Sequence, residues 1–182
     1  MVSMTAAASV RYDIPSKLQA ATSGLRPWCS KLLCSISSDE NALTIAEYIM
    51  TLMTEINLSD HYREDLITVL SKLSSHPGNN KSFKLMTRQD IIAFLNRFRK
   101  NDASDPLHKW IGTYNIYRMY ILRFFKWLYY PDIEPDKRPR PEVIDNIPQL
   151  KRKEQSIYKP IVGSSLLISL SVSSLAIKVY SI

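Results

Sequence analysis

The sequence has little glycine, little cysteine and no long hydrophobic run. Four glycines in 182 residues leave no glycine-rich loop to cradle a phosphate, and no acid/base pair or metal-ligand cluster stands out at a catalytic spacing. Cys29 and Cys34 lack a second pair, and His61, His76 and His108 are not clustered with them, which excludes a four-ligand zinc site and a disulfide framework. No metal or cofactor is expected, and the histidines read as surface or capping residues. Two reduced thiols fit a cytoplasmic protein, as does an N-terminus, MVSMTAAASVRYDIP, without the apolar run of a secretory signal. The uncharged stretch Ile161–Ile177 has 17 residues, six of them serine, short of the ~20 apolar residues that span a bilayer. This argues against a membrane anchor and for an aggregation-prone or disordered tail.

What is present is basic charge and a crowded aromatic middle. Lys and Arg number 24 against 17 Asp and Glu, a net charge of +7, and such an excess favours a polyanionic partner, nucleic acid or an anionic membrane surface. Hydrophobic residues at 45% and charged residues at 23% are globular proportions. The aromatics gather between Phe83 and Tyr130, so the core is expected in the middle of the chain.

Residues 1–40 hold no sustained period and read as a flexible N-terminal arm. From Asn41 the pattern changes: Ile45, Tyr48, Ile49, Leu52 and Ile56 share one helix face, capped by Thr44 or Asn41. Ser59 then caps a second helix with the stripe Tyr62, Leu66, Val69, Leu70 and Leu73, which the breakers from His76 to Asn80 end. Thr87 with Asp90 resembles a capping box before Ile91, Phe94, Leu95 and Phe98. That helix closes on Arg97, Arg99 and Lys100, cations that suit a helix C-terminus as well as a polyanion. The longest helix runs from Lys109 to Tyr129, with a seam of Trp110, Tyr114, Tyr117, Ile121, Phe124 and Leu128. Ile116, Met119, Tyr120, Leu122, Phe125 and Trp127 make its other faces apolar, so it is predicted to be central and buried on several sides. Arg118, Arg123 and Lys126 interrupt that surface and are the best candidates to reach outward. Residues 131–160, with six prolines and two basic groups (Lys137, Arg138, Arg140; Lys151, Arg152, Lys153), read as an extended basic linker, and residues 161–182 as an atypical tail.

Short amphipathic helices closed by a long aromatic one, with LMTRQDII at Leu85–Ile92 and FFKWL at Phe124–Leu128, resemble the core-binding domain of tyrosine recombinases, the phage-type integrases. The run Lys109–Pro160 is similar to archaeal integrases, in which such a linker leads into the catalytic domain. The resemblance covers about residues 41–160. It implies an all-α fold, a four-to-five-helix orthogonal bundle of the SAM-like type over residues 41–130. It also implies a part in DNA recombination and integration, with double-stranded DNA as partner and a nucleoid-associated location. Family members clamp the duplex between this domain and a catalytic domain that supplies the nucleophilic Tyr, two Arg, a Lys and a His. No His-x-x-Arg motif occurs here and Tyr180 has no Arg or His around it, so the expectation is a truncated or frameshifted, non-catalytic recombinase.

The cations expected to meet DNA are Arg97, Arg99, Lys100, Lys109, Arg118, Arg123, Lys126, Lys151, Arg152 and Lys153. They suit phosphate contacts, which position a protein on a duplex without reading its sequence. The competing readings are a regulator that competes or pairs with an intact recombinase, an inert remnant, and a small tail-anchored helical protein.

Overall fold

Helix boundaries follow from a few short polar side chains. The computed structural model describes residues 15–77, 81–101 and 103–151, in which helices α1 (residues 15–22), α2 (Pro27–Cys34), α3 (Asp39–Glu55), α4 (Asp60–Ser74), α5 (Arg88–Asn96) and α6 (Trp110–Tyr129) follow one another. Single 3-10 turns occur at Phe83–Leu85, Pro135–Lys137 and Glu142–Ile144. The described residues contain no strand, so the architecture is all-α. Ser59 caps α4 by accepting from the Tyr62 N–H. Thr87 and Asp90 form the capping box of α5, each side chain bonding the other's backbone. For α3 the cap is neither Thr44 nor Asn41 but Ser38, whose hydroxyl accepts from the Asn41 N–H at 3.3 Å.

Asn41 is instead a buried cross-brace. Its amide donates to the Ser74 hydroxyl (2.9 Å) and the Lys81 carbonyl (3.0 Å), and its oxygen accepts from the Phe83 N–H (2.9 Å). One side chain thereby ties the start of α3, the end of α4 and the segment before α5. Leaving those groups unmade inside the protein would cost each its desolvation.

Residues 15–40 are not a free arm. Leu18 and Ala21 of α1, Cys29 and Leu33 of α2, and Ile36 are all buried in the common core. Gly24, at φ +79°, supplies the left-handed turn between α1 and α2, and Pro27 starts α2, where a missing N–H costs nothing. Arg63 of α4, itself buried, donates to the carbonyls of Ala21 (2.8 Å) and Ser23 (3.0 Å) and pairs with Asp60 (3.1 Å). It thus satisfies orphan acceptors at the C-terminal end of α1. Arg26 clasps Glu64 with two guanidinium nitrogens, which holds the Glu64 carboxyl below the usual carboxylate range.

The core lies where α4 meets α2, α3 and α6, and α6 in turn meets α3 and α5. Tyr48, Phe83, Phe94, Tyr114, Phe124 and Phe125 are its largest fully buried side chains. Tyr48 and Phe83 meet Phe124 edge-on at 5.3 and 4.8 Å between ring centres, the geometry that aromatic quadrupoles favour. The seam of α6 is therefore core at Tyr114, Ile121 and Phe124, but α6 is not enclosed on all sides: Ile116 is 48% and Met119 36% exposed.

The segment after α6 also departs from a free linker. Ile144 and Ile147 are buried, each contributing roughly 1.5–3 kcal/mol by leaving water. Polar groups fix the backbone between them: Arg88 donates to the Asp145 and Asn146 carbonyls (2.8 and 2.9 Å). Asn115 makes two bonds to the backbone of Leu150, and the Tyr114 hydroxyl donates to the Pro148 carbonyl. Arg138, buried among proline-rich backbone, donates to the carbonyls of Tyr130, Ile133 and Pro131 and to both oxygens of Glu55 at the end of α3. The chain from Pro131 to Leu150 is a strap laid back on the bundle. Residues 15–151 all fall within one compact unit, Met1–Arg152.

Candidate nucleic-acid interface

On a helix of 3.6 residues per turn, Lys109, Ile116, Met119, Arg123 and Lys126 fall within about 100° of arc, and this arc is the outward stripe of α6. Lys109 and Arg123 are exposed and Lys126 is half-buried. From Pro106 to Pro131 the chain carries no acidic residue, and no described acid lies within ion-pair distance of Lys109, Arg123 or Lys126. The Tyr62 hydroxyl accepts from Arg123 at 2.9 Å and is the main cause of the raised pKa of that guanidinium. Tyr120, next to α4, donates to Asp65 at 3.1 Å. Burial and the Asp65 charge push the Tyr120 phenol up to about 12, so it stays protonated.

Arg118 does not belong to this stripe. It stands about 140° around the helix from Arg123, where its Nε donates to the Ile147 carbonyl at 2.9 Å. Burial lowers its pKa, and the nearby Arg140 lowers it further. Its geometry is that of a strut holding the strap to α6, which corrects the expectation that it reaches outward with Arg123 and Lys126.

A second basic group forms around the ends of α4 and α5. Arg97, exposed, places Nη1 3.1 Å from His76 Nδ1, and burial together with the Arg97 charge pushes the His76 pKa down. Lys72 of α4 lies 5.8 Å over the ring of Tyr117, a cation–π distance. Arg99 and Lys100 are exposed just beyond α5. Lys72 is absent from the sequence-derived set because it sits on the polar side of an amphipathic helix, where a lysine gives no signal. Lys151 is exposed; Arg152 and Lys153 lie outside the described residues, as does the stretch 161–177.

Between the end of α3, the start of α4, the last turns of α6 and the turn Pro135–Lys137 lies a pocket of about 340 Å³. Tyr48, Tyr62, Arg123, Lys126, Asp136 and Arg138 line it. Arg138 is spent on Glu55 and carbonyls, so the free positive charge there is that of Arg123 and Lys126. Tyr48 is buried, and that burial pushes its phenol far above its ordinary pKa. Among the described residues no cluster of His, Cys, Asp and Glu could hold a metal ion, and no helix is long and apolar enough to cross a membrane. Cys29 is buried and Cys34 exposed, both as free thiols.

Comparison of the chain with family models, curated proteins and solved structures finds no match.

Proposed function

We propose that the outward stripe of α6 binds the phosphate backbone of duplex DNA, and that the bundle is a SAM-like core-binding module of the tyrosine recombinase kind that binds without cutting. The observation that carries this reading is the acid-free run Pro106–Pro131, in which exposed Lys109 and Arg123 and half-buried Lys126 fall on one arc of α6. Lys109 and Lys126 stand about 25 Å apart along α6 at 1.5 Å per residue, a length of surface suited to several phosphates of one duplex. Arg97, Arg99, Lys100 and Lys72 form a second basic group at the ends of α4 and α5. Counterions released by such contacts drive affinity without reading base sequence. In this role the chain competes with, or pairs with, an intact recombinase on nucleoid DNA.

Fluorescence anisotropy of a labelled duplex, titrated with the protein at about 50 and 200 mM salt, tests the reading. Binding that is indifferent to sequence and weakens steeply with salt is the expected result; no binding at the lower salt overturns it.

A further inference from the structure

The pocket at the C-terminal end of α6 has more structure than backbone contact requires. We propose that it is a site for a single terminal phosphate, a phosphomonoester such as that of a mononucleotide or of the 5′-phosphorylated end of a DNA strand. Its volume of about 340 Å³ lies at the small end of ligand pockets, which run to about 300–1,000 Å³. Arg123 and Lys126, three residues apart on α6, supply two positive charges with no acidic partner among the described residues. The Tyr62 hydroxyl takes one N–H of Arg123 and holds the guanidinium in place. The remaining N–H donors stay in a planar fork that matches a phosphoryl group.

The other lining residues narrow the ligand. A phosphomonoester carries about −1.5 to −2 at neutral pH and three terminal oxygens, against one charge and two free oxygens for a backbone diester, so it makes more charge-assisted bonds to the Arg123 fork and the Lys126 ammonium. Asp136 sets one negative charge among them, which suits one phosphoryl group and opposes a di- or triphosphate. Arg138, locked to Glu55, adds a fixed wall in place of a third free cation. Ile56, 46% exposed, and Pro135 offer apolar surface for the sugar or base attached to the phosphate.

Isothermal titration of the full chain with adenosine 5′-monophosphate, adenosine 5′-triphosphate and adenosine tests the site. The monophosphate is expected to bind, the nucleoside to fail, and the triphosphate to bind no more tightly than the monophosphate. Lys126→Gln, checked for folding by circular dichroism, should weaken the monophosphate at least about tenfold, the loss of one charge-assisted bond. Asp136→Asn should tighten it, and Lys31→Gln, on α2, should leave it unchanged. A monophosphate that does not bind, or that Lys31→Gln weakens as much as Lys126→Gln, overturns the proposal. A second arm compares duplexes ending in 5′-phosphate and 5′-hydroxyl. Preference for the phosphorylated end supports the pocket, whereas equal binding of both with no binding of the monophosphate discards the pocket and leaves backbone binding standing.

Discussion

Asn41 shows what a single residue can hide. Its place at the first polar-to-apolar change made it a natural N-cap candidate, yet its bonds go to Ser74, Lys81 and Phe83, more than 30 residues along the chain, and no local pattern announces such partners. Asn41→Ala is expected to destabilise the fold by about 2–5 kcal/mol, because it strands buried polar groups at about 1–3 kcal/mol each. Thr44→Ala should change stability by no more than about 0.5 kcal/mol. Urea denaturation separates the two. The Thr87–Asp90 box, by contrast, was fully legible, since its partners are three residues apart. Its Asp90 carboxylate accepts from the Thr87 N–H (2.7 Å) and pairs with Lys81 (3.0 Å), and these interactions hold it below the usual carboxylate range. The folded state therefore binds fewer protons there than the unfolded state. The stabilisation is complete above the ordinary value and disappears as pH falls through the lower folded one. Denaturation midpoints followed from about pH 5 to 2 should fall less in Asp90→Asn than in the native chain.

At the scale of elements, α3 to α6 were readable and α1 and α2 were not. α3, α4 and α6 repeat their apolar residues over several turns, but α1 and α2 each bury only two residues, Leu18 with Ala21 and Cys29 with Leu33, separated by the Gly24 turn. Two positions per helix make no period. The strap after α6 escaped for a related reason: its anchors are backbone carbonyls caught by Arg88, Arg118, Asn115 and Arg138, and prolines with scattered cations look like a linker in any sequence. Deleting residues 1–40 distinguishes an arm from a structural element. It removes several buried side chains worth roughly 1.5–3 kcal/mol each and takes away the carbonyl partners of Arg63. The loss approaches the whole stability of a domain of this size, so circular dichroism of the shortened protein is expected to show no cooperative thermal transition. A melt like that of the native chain would restore the reading as an arm.

For the whole molecule, the net charge of +7 favours an anionic partner, but the distribution of that charge needed the fold. Arg118, Arg123 and Lys126 lie within nine residues of one helix, yet Arg118 stands on another face and is bonded to the Ile147 carbonyl of the strap. Arg138, one of the linker cations in sequence, is buried against Glu55, while the unremarked Lys72 joins Arg97 at the surface. The proposed DNA-facing surface is the outward arc of α6, and the dependence of duplex affinity on salt tests it most directly. Neutralising Arg123 or Lys109 to Gln should each reduce the slope of log K against log salt by about 1, while Lys31→Gln should leave it unchanged. Equal slopes in the native chain and in both α6 variants would contradict the account.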